Sequence, residues 1–153
     1  MCGGVTGKTP ATLAEFSMGD GGVNPDFYDL SLVDGYNLPM AIAPLEGTYT
    51  KSPGTAHDCL IPSCTHDLNT TCPAELRLTD AAGQVVGCQS ACEHFKTDEF
   101  CCAGAHNQPA TCPPFSFSKT FKEACPTAYS YAYDDATSTF TCKGEDYAIW
   151  FCP

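Results

Sequence analysis

Twelve cysteines in 153 residues constrain this chain more than any other feature. They fall at Cys2, Cys59, Cys64, Cys72, Cys88, Cys92, Cys101, Cys102, Cys112, Cys125, Cys142 and Cys152. Thiols at this density belong to an oxidising compartment, where disulfides rather than one large apolar core supply rigidity. Eleven of the twelve lie beyond residue 58, so packing must hold the first third and bridges the remainder. The competing use of such residues is zinc, whose structural sites gather close Cys or His pairs. No C-x-x-C pair occurs, and His57, His66, His94 and His106 sit at unrelated spacings, so the pattern reads as disulfides, with no metal and no cofactor. Neighbouring Cys101 and Cys102 point apart in most backbone conformations and are expected to reach different partners. Spacing alone leaves roughly ten thousand full pairings of twelve thiols open.

Charge narrows the partners. Eighteen acidic residues against seven basic ones give a formal net charge of −11. Phosphate backbones and anionic membranes are poor partners for such a surface, whereas neutral carbohydrate and cationic molecules are compatible with it. No apolar run approaches the length of a bilayer span. Met1-Cys2-Gly3-Gly4 has neither the basic start nor the apolar stretch of a leader, so the chain reads as mature or truncated. The length suits one domain, or one domain carrying a loop-rich lobe.

Alternation of apolar and polar residues predicts a half-buried strand over Ala11 to Met18 and a second over Asp26 to Asp34. A third is expected over Gly35 to Pro44, limited by its prolines to edge or irregular pairing. Residues 45 to 58 read as a linker or long hairpin loop. The bridged middle holds two helical candidates, Gln89 to Phe95 and Ser118 to Ala124, with Ser118 as N-cap. Alternation returns from Ser138 to Phe151 as a hairpin turning at Lys143 to Asp146.

Several stretches carry a family resemblance: Pro10-Ala-Thr-Leu-Ala-Glu-Phe16, Asp26-Phe-Tyr-Asp-Leu-Ser-Leu-Val-Asp-Gly-Tyr-Asn-Leu-Pro-Met40, Cys72-Pro-Ala-Glu-Leu76, Cys101-Cys102, Ala124-Cys-Pro-Thr-Ala-Tyr-Ser-Tyr-Ala-Tyr-Asp-Asp135 and Asp146-Tyr-Ala-Ile-Trp-Phe-Cys-Pro153. In order and along the whole chain they resemble the plant thaumatin-like proteins, pathogenesis-related family five. The resemblance implies a mainly β fold: an antiparallel β-sandwich, here expected to be incomplete at its N-terminus, with a disulfide-rich lobe of loops and short helices. Residues 1–63 and 127–153 are expected in the sandwich and 64–126 in the lobe. The implied bridges are Cys59–Cys142, Cys64–Cys125, Cys72–Cys88, Cys92–Cys101 and Cys102–Cys112. Cys2 and Cys152 are left to stay free, to bridge chains or to join each other.

The same resemblance implies an acidic cleft, carried here by Glu15, Asp29, Asp34 and Asp134, with Asp135 as the nearby alternative. The family's cleft arginine has no counterpart, since Arg77 stands in a different and structural context. Close carboxylates without a cation raise one another's pKa or recruit a cation from solvent. If the cleft hydrolyses a glycoside, Glu15 is the expected acid, its pKa raised by an apolar wall of Leu13 and Phe16, and Asp34 the base or nucleophile. On a regular strand Asp29 and Asp34 face opposite ways, and a bend near Gly35 is needed to unite them. Phe27, Tyr28, Tyr36, Tyr129, Tyr131, Tyr133 and Trp150 serve either a sugar-stacking platform or, for most of them, a sandwich core. Asn69-Thr70-Thr71 is an N-glycosylation acceptor pattern.

The expected function is a secreted, monomeric plant defence protein of the apoplast or vacuole, binding β-1,3-glucan or a fungal surface without efficient turnover. The alternatives are a weak endo-β-1,3-glucanase using Glu15 and Asp34, and an inhibitor of foreign hydrolases.

Overall fold

Side-chain alternation along one strand divides this molecule into an inside and a working face. That strand is β2 (Asp26–Ser31), in which Tyr28 and Leu30 point inward at 1% and 0% exposure while Phe27 and Asp29 face the other way. The computed structural model describes residues 7–20, 23–51, 55–144 and 146–153. Its other strands are β1 (Leu13–Ser17), β3 (Met40–Pro44), β4 (Tyr49–Thr50), β5 (Ser63–Cys64), β6 (Arg77–Thr79), β7 (Val85–Cys88), β8 (Phe140–Gly144) and β9 (Tyr147–Phe151). All pairing between them is antiparallel, in one sheet ordered β1-β2-β8-β4, a second ordered β5-β3-β9, and the separate ribbon β6-β7.

The core draws on both larger sheets: Tyr28, Leu30, Phe140 and Cys142 from the first, Met40, Ile42 and Cys64 from the second. Burying these apolar side chains is the main driving force of the sandwich. Asp26 ties the sheets together, since its Oδ1 accepts from the Gly19 amide at 2.7 Å and its Oδ2 accepts from the Tyr147 hydroxyl at 2.7 Å. Two further core tyrosines end on backbone acceptors, Tyr28 on the Leu60 carbonyl at 2.6 Å and Tyr36 on that of His66 at 3.1 Å. The mainly β architecture with few, short helices is the one the family resemblance implies.

Among the described residues five disulfides form, with the pairing the resemblance implies. Cys59–Cys142 and Cys64–Cys125 span 83 and 61 residues and pin distant segments together. Cys72–Cys88, Cys92–Cys101 and Cys102–Cys112 close loops of 16, 9 and 10 residues in the lobe. Cys101 and Cys102 reach different partners, Cys152 is an exposed free thiol, and Cys2 lies outside the described residues.

Four sequence expectations need correction. Residues from Ser138 to Phe151 hold two strands but no hairpin: β8 pairs with β2 and β4, whereas β9 pairs with β3 in the other sheet. Alternation identifies a strand without naming its partner, and here the chain changes sheets between the two. The third strand is central rather than an edge, because Pro39 and Pro44 bracket its paired interior instead of interrupting it. Helix α3 (Ser116–Ala124), which follows α1 (Ala91–Phe95) and α2 (Asp98–Cys101), starts two residues early. Ser118 is therefore inside its first turn, where its Oγ accepts from the Phe115 amide at 3.0 Å. Finally, the lobe contains the unanticipated ribbon β6-β7, turned at Asp80 to Gly83, where Gly83 adopts φ +79°. The N-cap of α1 is Ser90, whose Oγ accepts from the Glu93 amide at 3.0 Å.

Candidate functional site

On the outer face of the β1-β2 ribbon three cross-strand pairs stand in a row: Leu13 opposite Ser31, Glu15 opposite Asp29, and Ser17 opposite Phe27. A period of two puts these six on one side while Ala14 and Phe16 pack toward the core. All six line a cavity of about 430 Å³. Its far wall is the stretch beyond α3. There the Tyr129 amide donates to the Leu30 carbonyl at 2.8 Å and the Leu32 amide to the Tyr129 carbonyl at 2.8 Å, so this segment runs alongside the end of β2.

Asp34 reaches the same cavity through a turn. After Ser31 the strand ends, and the Gly35 amide donates back to the Leu32 carbonyl at 2.9 Å. Gly35 sits at φ +90°, with Pro10 and the Cys88 carbonyl so close that a Cβ there would lie 2.5 Å and 2.7 Å from them. Only glycine suits that conformation and that space. The bend returns the Asp34 side chain to the face that carries Asp29, as the cavity lining shows.

The last acidic position is Asp135, not Asp134. Asp134 is drawn away from the cavity: its Oδ2 accepts from the Ser130 amide at 3.0 Å and the Ser130 hydroxyl at 2.8 Å, and pairs with Lys122 Nζ at 3.0 Å. Asp135 opens helix α4 (Asp135–Ser138) and lines the cavity, where its Oδ1 accepts from the Tyr129 hydroxyl at 2.9 Å. That hydroxyl also meets Thr139 Oγ1 at 2.6 Å, and burial foremost pushes it up to about 12.

Glu15, Asp29, Asp34 and Asp135 thus share one cavity with no basic side chain in its lining. Among the described residues no cluster of three or more His, Cys, Asp or Glu is arranged to hold a metal ion. Two like charges directly opposite on neighbouring strands are unfavourable, and the conflict is resolved on Asp29. Burial first, then the Glu15 carboxylate opposite it and the hydrogen bond the two share, then Asp135, raise Asp29 from 3.8 to about 7. Near neutrality the pair therefore holds a proton. Asp29 Oδ1 is buried with no hydrogen-bond partner among the described residues. Sequence reasoning placed the proton-holding role on Glu15 behind Leu13 and Phe16; both neighbours do line the cavity, but Glu15 is exposed at its lip and Asp29 lies deeper.

Lys122 was not singled out from sequence. It sits on α3 and donates to the Ala128 carbonyl at 3.0 Å and the Ser138 hydroxyl at 2.8 Å as well as pairing with Asp134. It holds the wall that carries Tyr129 and Asp135, and no periodic signal marks it. Lys122→Met is expected to lower the unfolding free energy by about 2–3 kcal/mol, the scale of charged hydrogen bonds left unpaired in a half-buried site. A urea titration at pH 7 showing a loss below about 1 kcal/mol would remove that role.

The remaining sequence candidates separate cleanly. Tyr28 and Tyr36 are core, Phe27 and Tyr129 line the cavity, Tyr131 is half-buried beside it, and Tyr133 and Trp150 do not line it. Arg77 is on β6, far in role from the cavity, where its Nε donates to the Cys72 carbonyl at 2.8 Å. Asn69 Nδ2, the atom a glycan would occupy, donates to the Asn37 carbonyl at 3.2 Å.

Comparison with known proteins accords with this geometry. The thaumatin family matches residues 1–153 of the chain. The chain belongs to the thaumatin family. This thaumatin-family chain is 55% identical over 152 residues to pathogenesis-related thaumatin-like protein 3.5 of Cryptomeria japonica, covering 99% of this chain and 58% of that protein. It is 53% identical over 157 residues to pathogenesis-related protein 5 of Arabidopsis thaliana, covering 99% of this chain and 61% of the relative. It is 51% identical over 154 residues to a Prunus avium protein named glucan endo-1,3-beta-glucosidase, covering 100% of this chain and 59% of the relative. The chain therefore spans about three fifths of the length of these relatives. No helix among the described residues is long and apolar enough to cross a membrane.

Proposed function

We propose that this chain binds neutral β-1,3-glucan, as displayed on fungal surfaces, in the acidic cleft, and acts as a secreted, monomeric, pathogenesis-related defence protein of the apoplast or vacuole. The observation that carries this reading is the Glu15–Asp29 pair in an otherwise anionic cavity. Sharing one proton, it offers a sugar hydroxyl both a donor and an acceptor, and Phe27 and Tyr129 supply ring surface beside it. A cavity lined by four carboxyls and no cation disfavours anionic ligands and suits an uncharged polyhydroxyl chain. Calorimetric titration with laminarihexaose tests it. Glu15→Gln is expected to weaken binding about tenfold, the worth of one hydrogen bond to a charged acceptor. Unchanged affinity in that variant would end the cleft reading.

Hydrolysis is the second reading, favoured by one specific observation: a carboxyl held protonated near neutrality faces another, the environment that separates acid from base in glycosidases. The Prunus avium relative's name points the same way for that protein. In this reading Glu15 and Asp34 act on the substrate and Asp29 stores the proton for Glu15. Reducing-sugar release from laminarin, abolished in both Glu15→Gln and Asp34→Asn, would support turnover; binding without release would leave the protein a lectin-like binder.

A further inference from the structure

We propose that the cleft continues onto the disulfide-rich lobe as a second carbohydrate subsite, a stripe of aromatic rings that receives further sugar residues of the glucan held in the cleft. The inference rests on the cleft being the glucan site, and it adds a surface that the acidic residues do not describe.

Continuity comes from two shared residues. Val33 and Ala132 line both the acidic cavity and a notch of about 20 Å³ walled by Phe100, Phe115 and Tyr131. The notch has room for one water-sized group, which is also the scale of a sugar hydroxymethyl. No charged side chain lines it. From the notch the rings follow one another outward: Tyr131 to Phe115 at 6.1 Å, Phe115 to Phe100 at 5.0 Å, Phe100 to Phe95 at 5.1 Å, and Phe95 to His94 at 4.6 Å. The inner rings are half-buried, whereas His94 and Phe95 are exposed, Phe95 at 37%.

A small lobe of this kind gains stability from clustered rings, and Phe117, which also touches Phe95 and Phe100, packs against the main core. Stability alone does not require the stripe to emerge at Phe95 or to begin at the rim of the cleft. Its support is rigid, because Cys92–Cys101 closes the nine-residue loop that carries both Phe95 and Phe100. Rigid aromatic surface meets the apolar C–H faces of a pyranose with little ordering cost, and the outward hydroxyls stay in water. A β-linked glucan that leaves the cleft over Val33 and Ala132 meets this surface next. A neutral chain suits it, since the ligand carries its polarity at the ring edges and its apolar area on the faces.

Affinity as a function of chain length tests the proposal. Calorimetry compares laminaritriose with laminarihexaose on the wild-type chain, Phe95→Ala, Tyr131→Ala and Glu15→Gln. The hexaose is expected to bind the wild type at least tenfold tighter than the triose. Phe95→Ala and Tyr131→Ala should bring that ratio toward one with triose affinity unchanged, while Glu15→Gln weakens both sugars. A ratio that persists in both aromatic variants, or is near one in the wild type, overturns the stripe and leaves the cleft intact. If neither sugar binds the wild type, the cleft reading falls and takes the stripe with it. Should Tyr131→Ala fail to fold, Phe95→Trp decides the question, because its fluorescence should change with hexaose and not with triose. No change with hexaose counts against the stripe.

Discussion

Replacing Cys59 and Cys142 together by alanine is expected to lower the free energy of unfolding by about 4–5 kcal/mol. Their bridge closes 83 residues, so in the unfolded chain it removes more conformational freedom than any other of the five. Both thiols are buried, at 5% and 0% exposure, and the bridge joins the segment after β4 to β8, the strand between β2 and β4 in the larger sheet. The matching replacement of Cys92 and Cys101, which closes only nine residues, should cost about 2–3 kcal/mol. Denaturant titrations of the two variants at one pH give the comparison. Equal losses would mean that loop closure does not set the contribution of these bridges. A domain of this size has a total stability of about 5–15 kcal/mol, so the first variant is also expected to be largely unfolded at 37 °C if the chain sits at the low end of that range.

Asp29→Asn is expected to stabilise the protein at neutral and alkaline pH. In the folded chain Asp29 is raised from 3.8 to about 7. At pH below 3.8 the carboxyl is protonated whether the chain is folded or not, and it carries no penalty. As pH rises toward 7 the unfolded chain releases this proton while the folded chain retains it, so the unfolded state binds fewer protons and stability falls. Above about 7 both states are ionised and the loss is complete. Asparagine cannot ionise, so the variant loses this downward slope. Asp29 is partly open to solvent, which screens the effect to about 1–2 kcal/mol. Thermal unfolding from pH 4 to pH 8 reads the gap between wild type and variant, expected to widen with pH; a constant gap would show that Asp29 titrates normally. Glu15→Gln should shrink the wild-type slope as well, because it removes the charge and the shared hydrogen bond that help to hold the Asp29 proton.

Much of the fold was legible because it depends on local pattern. The alternation through Asp26 to Ser31 sends Tyr28 and Leu30 one way and Phe27 and Asp29 the other, and nothing outside the strand is needed to see it. The stretch Gln89 to Phe95 announces α1, found at Ala91–Phe95, for the same reason. Strand partners are a different matter. The residues of β8 and β9 look like a hairpin because they are adjacent in sequence, yet β8 pairs with β2 and β9 with β3, each in a different sheet. The ribbon β6-β7 was hidden because its strands are short and mostly exposed, so no apolar alternation marks them.

The candidate site divides along the same line. Residue types, spacing and charge determined by themselves that the chain is disulfide-built, anionic and β-rich, and the family motifs marked Glu15, Asp29 and Asp34. Tertiary structure decided the rest. Asp134 and Asp135 are neighbours in sequence, but Ser130 and Lys122 take the first and leave the second for the cavity. Asp34 reaches the cleft only because Gly35 can turn at φ +90° beneath Pro10 and the Cys88 carbonyl. Asp29, rather than Glu15, is raised to about 7 because strand register sets it opposite Glu15 in the deeper position. A carboxylate's chemistry is set by burial and by the charges within a few ångströms of it, and those neighbours, Glu15 and Asp135 for Asp29, come from distant segments that only the folded chain brings together.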